Sequence, residues 1–110
     1  LLVGNASCDT GHILENIVFL ELIRRGYTVY VGQLAKGEID FVAQKVDVTE
    51  YYQVSETVLD PNTLNRELAP LKAVQDQYPK FLLTLDELNK NANYDGIQQR
   101  NVLEWLLESY

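Results

Sequence analysis

Gly37-Glu38-Ile39-Asp40-Phe41-Val42-Ala43, followed by Tyr51-Tyr52-Gln53-Val54-Ser55, is the stretch on which the fold turns. Both pieces read as strands, adjacent in the fold. Side chains alternate along a strand, so Gln53 and Ser55 share one face of the second piece. By the same rule Ile39 and Phe41 point away from Asp40, which shares its side with Glu38.

Outward from this pair, the strand around Asp40 runs from Glu38 to Lys45, and Val46 to Thr49 is a turn. The strand around Gln53 runs from Glu50 to Thr57. A strand from Tyr27 to Gly32 and a turn from Gln33 to Gly37 precede them. Three strands this closely spaced predict an antiparallel meander. A helix from Thr10 to Arg25 comes first, capped by Asp9 or Thr10 and stopped by Gly26. Ile13, Ile17 and Leu20, flanked by Leu14 and Val18, give it helical periodicity.

Downstream, Asp60 to Thr63 is a turn into a second helix, capped by Asn62 or Thr63. Leu64, Leu68, Leu71 and Val74 form its apolar stripe, and Pro70 is expected to kink or break it near Ala69. Lys80 to Leu85 is a short apolar strand, parallel to an earlier one because a helix precedes it. Asp86 to Ala92 is expected to hold a helical turn, and Gly96-Ile97 to open a brief strand or turn. Asn101 caps a terminal helix with Val102, Trp105 and Leu106. The order is helix, three strands, helix, strand, helix: a mixed α/β sheet covered by helices.

The chain has 110 residues, which suits one domain burying roughly 65% of its unfolded surface. Its single cysteine, Cys8, excludes an internal disulfide and fits a reducing, cytoplasmic setting. No apolar run approaches the roughly 20 residues that cross a bilayer, so no membrane partner is expected. The net charge of −7 argues against nucleic acid as a partner. There is no Met, and the first residues, Leu1-Leu2-Val3, fall within an apolar phrase. The expectation is a domain, residues 1–110, excised from a longer protein.

The element order, with acids at these places, resembles the PD-(D/E)XK nuclease-like fold, that of restriction endonucleases. The phrases Gly11-His12-Ile13-Leu14-Glu15-Asn16, Glu21-Leu22, Arg25-Gly26-Tyr27, Glu38-Ile39-Asp40-Phe41-Val42, Gln53-Val54, Tyr78-Pro79-Lys80 and Tyr94-Asp95-Gly96-Ile97 resemble one family in particular. It is the carboxy-terminal domain of unknown function that follows the P-loop module in many prokaryotic ATPases of the AAA+ type. The likeness spans nearly the whole chain and rests on the order of the phrases.

The resemblance implies a helix acid at Glu15 and a strand acid at Asp40, the two metal ligands if the site is active. It implies a second strand acid where Gln53 stands and a lysine where Ser55 stands. An amide is neutral and offers one good ligand oxygen, whereas Mg²⁺ is held mainly by carboxylates, waters and substrate oxygens. A hydroxyl does not replace an ammonium at developing negative charge. The catalytic set Glu15, Asp40, Gln53 and Ser55 is therefore read as vestigial. A displaced cation could come from Lys45, Lys72 or Arg66, although Lys45 has the wrong parity relative to Asp40.

His12 is the only histidine, which leaves no His-based zinc site. A Cys8–His12 nucleophile pair is set against Cys8 as a small inert residue, the reading preferred here. Tyr27, Tyr30, Phe41, Tyr51 and Tyr52 are read as sheet packing rather than a stacking platform for bases. No GxxxxGK phosphate loop is present, so ATP would bind only in an amino-terminal part beyond this sequence. Three functions follow: a non-catalytic accessory domain contacting its own ATPase module or another protein, with no cofactor of its own; a weakly active nuclease using Mg²⁺ or Mn²⁺; and a DNA-binding module without cleavage.

Overall fold

A computed structural model describes residues 10–35 and 37–108. Cys8, the Asp9 cap and Lys36 lie outside the described residues. Helix α1 spans Thr10–Arg24 and leads through Gly26 into the meander β1 (Thr28–Leu34), β2 (Gly37–Lys45) and β3 (Val48–Val54). Helix α2 (Pro61–Ala73) crosses to β4 (Lys80–Thr84). The short strands β5 (Asn93–Tyr94) and β6 (Ile97–Asn101) precede helix α3 (Val102–Leu107). The strands form one mixed sheet in the order β1-β2-β3-β4-β6-β5. β1, β2 and β3 pair antiparallel, as do β5 and β6, while β4 runs parallel to both β3 and β6. The α/β class, the meander and the parallel β4 expected from the sequence are all present.

The sheet buries two apolar layers. Leu14, Val18 and Leu22 of α1 pack with Ala43, Tyr52, Val54, Leu83 and the α3 residues Val102 and Trp105. Tyr52 stacks on Phe81 at 5.1 Å and tilts against Trp105 at 5.7 Å between ring centroids. The opposite layer joins Leu68 and Leu71 of α2 to Ile39, Val58, Leu82 and Ile97. Phe41 and Tyr52 thus serve packing, while Tyr30 is exposed.

Several expectations are corrected. The buried row of α1 is Leu14, Val18 and Leu22, whereas Ile13, Ile17 and Leu20 face outward. Helix α2 is capped by Asp60, whose carboxylate accepts from the Asn62 N–H at 2.8 Å. It runs through Pro70 unbroken, because Pro70 is itself buried beside Leu68 and Leu71 and packing outweighs the lost hydrogen bond. It ends at Ala73, ahead of Tyr78-Pro79. Residues 86–92 form turns with no helix. Asn101 caps α3 as expected, accepting from the N–H groups of Leu103 and Glu104.

The alternation read along β2 also fails at one place, and that place positions the site. Tyr30 pairs with Val42, yet Gly32 pairs with Ile39, so three steps on β2 match two on β1. The extra residue is a β-bulge across Asp40 and Phe41. Ile39 and Phe41 consequently enter opposite layers, and Ile39 and Val42 share a side. Gly32 sits against both: a Cβ there would lie 3.0 Å from Ile39 Cβ and 3.1 Å from Val42 Cγ2. Gly32→Ala is expected to destabilise the domain by about 1–3 kcal/mol through overpacking. Urea unfolding measures this, and an unchanged midpoint would show that the bulge yields freely.

Candidate functional site: a carboxylate cluster at an opened strand pair

β2 and β3 stop pairing beyond Phe41–Tyr52. There two side chains take over the hydrogen bonding between the strands. The Asp40 N–H donates to Gln53 Oε1 at 2.6 Å. The Val54 N–H donates to Asp40 Oδ2 at 2.9 Å. The other end of the Gln53 amide donates through Nε2 to the backbone carbonyl of Glu67 on α2 at 3.1 Å. Gln53 is buried and satisfied at both ends, and it links β2, β3 and α2.

Two carboxyls at this junction, those of Asp40 and Glu67, are held above their usual range. Burial pushes the Asp40 carboxyl up to about 6. The Val54 N–H opposes that rise, and the charges of Glu15 and Glu38 add to it. Burial pushes Glu67 up to about 7; Asp40 and Glu15 add to the shift and Arg66 offsets part of it. Glu15 comes from α1, Asp40 from the bulge and Glu67 from α2. The helices on opposite sheet faces thus contribute acids to one end of the strand pair.

Asp40 and Gln53 are joined by a hydrogen bond, and the charge of Glu15 reaches Asp40 from α1. Ser55 is turned away into its own loop, where Oγ donates to the Thr57 carbonyl at 3.0 Å. Lys45 lies over the Tyr27 ring at 4.4 Å. Lys72 lines a separate cleft with Asp76 and Lys80. Of the three cations considered, Arg66 is the one that tempers the cluster. Glu67 escaped the sequence reading. Its signal was its place on the apolar stripe of α2, three residues after Leu64 and four before Leu71, where an acid is out of pattern.

The donor set does not suit a resident divalent cation. The one ligand oxygen of Gln53 already accepts from the Asp40 N–H, and one oxygen of Asp40 accepts from Val54. Among the described residues, no three His, Cys, Asp or Glu side chains are arranged to hold a metal ion. Both raised carboxyls hold a proton more tightly when folded than when unfolded, so stability is greatest below the ordinary carboxylate pKa. It falls as pH rises through about 6 and 7. Unfolding free energies at pH 4.5 and 8 should show this downward slope. The paired variant Asp40→Asn, Glu67→Gln should flatten it, and an equal slope in that variant would place its origin elsewhere.

A second polar junction lies at the ends of β4 and β6. The Asp86 carboxylate accepts from Thr57 Oγ1 at 2.6 Å and from the Val58 N–H at 2.8 Å. Its backbone N–H donates to Thr84 Oγ1 at 3.0 Å, and its carbonyl accepts from Asn101 Nδ2 at 3.3 Å. This group pins the loop after β3 to the start of α3.

Fold and site together define an α/β domain with a mixed six-stranded sheet and a polar junction, built on Asp40 and Gln53, where two strands part. The chain is similar to a protein of Haemophilus influenzae (strain Rd) described only as an uncharacterized protein, with 41% identity over 106 residues. That match covers 96% of this chain and 26% of the relative, so the chain spans about a quarter of the relative's length. No family model matches the chain. Among the described residues no helix is long and apolar enough to cross a membrane.

Proposed function

We propose that the domain is a non-catalytic accessory unit of a longer P-loop ATPase, built on a PD-(D/E)XK nuclease-like frame whose reaction has been lost. The order of helix, meander, crossing helix and parallel strand supports the frame. The observation that carries the loss of chemistry is the double engagement of Gln53, with its carbonyl oxygen on the Asp40 N–H and its amide on the Glu67 carbonyl. The position that should supply a metal-binding acid is occupied in joining backbone. Ser55, where a lysine should stand, bonds within its own loop.

Calorimetric titration with Mn²⁺ and Mg²⁺, together with incubation of single- and double-stranded DNA in Mn²⁺, tests the reading. No saturable metal binding and no cleavage are expected. Cleavage that disappears in Asp40→Ala would overturn it.

One observation favours a second reading, a weak metal-dependent nuclease. The charges of Asp40 and Glu15 reach Glu67, so α2 brings to this end of the strand pair an acid absent from the expected set, while Gln53 stays neutral. The same assays with Glu67→Gln separate the two readings, since a nuclease of this kind would lose activity with Glu67 as well as with Asp40. DNA binding without cleavage has the least support. The net charge is −7 and the cluster is acidic, whereas phosphate contact needs grouped Lys and Arg.

A further inference from the structure

Helix α1 is apolar on nearly every side, yet only Leu14, Val18 and Leu22 are buried. Ile13 is 59% exposed, Ile17 39%, Leu20 63% and Ile23 46%. Ile13, Ile17 and Leu20 recur at four and three residues, so they line up as a continuous outward stripe. Phe19, by contrast, leans on Phe41 with ring centroids 6.0 Å apart. A helix that is apolar all round normally lies inside a protein rather than on its surface.

We propose that this outer face of α1 is the seat of another part of a longer polypeptide, covered intramolecularly by an apolar surface of that additional chain. The inference rests on the reading of the domain as an accessory unit and names the surface it uses. Three considerations choose the occupant. The Haemophilus relative devotes only 26% of its length to the matching region, so about three quarters of that protein is available to cover it. A second copy is disfavoured because each copy carries a net charge of −7. A lipid surface is disfavoured because binding at an anionic interface wants a row of free basic side chains beside the apolar face. Here Arg24 and Arg25 are both engaged by Glu21, at 2.7 and 2.8 Å.

Thiol labelling in the full-length product of the gene that encodes this chain tests the proposal. In a Cys8→Ser background, Ile17→Cys is compared with Val46→Cys, a position 87% exposed at the β2–β3 turn. The expected result is labelling at position 17 at least about 100-fold slower than at position 46, with a ratio unchanged on dilution. Leu20→Cys repeats the measurement should the first variant fail to fold. Comparable rates at the two positions, in a gene product of any length, would overturn the proposal. So would protection that vanishes on dilution, which would mean a second copy. Protection that requires phosphatidylglycerol vesicles would overturn it as well, since the cover would then be lipid. The outcome is separable from the loss of chemistry: Asp40-dependent cleavage would overturn that reading and leave the labelling ratio untouched.

Discussion

Gln53→Glu, which puts an acid where the proposed nuclease-like frame would carry one, is expected to destabilise the domain by about 3–4 kcal/mol at pH 8. It is expected to be nearly silent at pH 4.5. A carboxyl group has the shape of the amide it replaces. When protonated it donates to the Glu67 carbonyl and accepts from the Asp40 N–H, as Gln53 does at 3.1 and 2.6 Å. When ionised it can only accept, so one oxygen faces the Glu67 carbonyl without a proton between them. The new charge would also be buried, beside acids that are themselves pushed up to about 6 and 7. Burial and like charge raise a carboxyl pKa by up to several units, and each unit corresponds to about 1.4 kcal/mol. The folded pKa then lies above the unfolded one, so stability is retained below about 4.3 and is lost as pH rises toward the folded value. Urea unfolding at the two pH values, with and without Mn²⁺, provides the measurement. A loss under about 1 kcal/mol at pH 8 would remove the structural role given to Gln53. Recovery at pH 8 on adding Mn²⁺ would show that one substitution is enough to make a metal site here.

Asp86→Ala should have a comparable effect for a different reason. The carboxylate holds Thr57 Oγ1 and the buried Val58 N–H, and truncation leaves both donors without their acceptor. Hydrogen bonds to a charged acceptor contribute about 1.5–3 kcal/mol each, and an unsatisfied buried donor costs about 1–3 kcal/mol. The expected loss is about 3–4 kcal/mol, a large part of the roughly 5–15 kcal/mol that stabilises a domain of this kind. Asp86→Asn keeps one acceptor for Val58 and offers an amide to the Thr57 hydroxyl, which can rotate to accept it. Its loss should be about 1 kcal/mol. Chemical denaturation of both variants distinguishes a geometric role from a purely electrostatic one. Equal losses would point to the charge itself as what the site requires.

The residues that announced the fold did so by local pattern. The helical spacing of α2 and the Asn101 cap act over a few residues, and so could be read along the chain. The hairpin turns followed from the short spacings between strands. What escaped depends on groups distant in sequence. The bulge at Asp40 exists because β1 offers Gly32, a residue with no side chain, to Ile39 and Val42 together. Nothing within β2 alone signals it. Pro70 reads locally as a breaker, yet it is held in place by the layer beneath α2.

Helix α1 misled in an instructive way. With apolar residues on all sides, two stripes compete, and only the sheet decides that Leu14, Val18 and Leu22 turn inward. At the candidate site, Glu15, Asp40 and Gln53 were grouped through the family resemblance, and of these the hydrogen bond joins Asp40 to Gln53. Glu67 was not, because it reaches the cluster from the opposite sheet face. Ser55 was grouped with Gln53 by parity, but β3 ends at Val54 and alternation no longer holds there.

The strand order has a consequence for how the chain reaches this arrangement. The pairs β1–β2, β2–β3 and β5–β6 join neighbours in sequence across short turns. The pairing of β3 with β4 spans the whole of α2, and closing so long a loop is slow because entropy is lost before contacts form. The flanking hairpins should therefore assemble first, with β4 sliding between them last. Until it does, Leu82 and Leu83, buried on opposite faces of the finished sheet, are exposed to water, and the edges of β3 and β6 stay unpaired. During synthesis that interval is when the chain is most exposed to pairing with a neighbour instead of with itself.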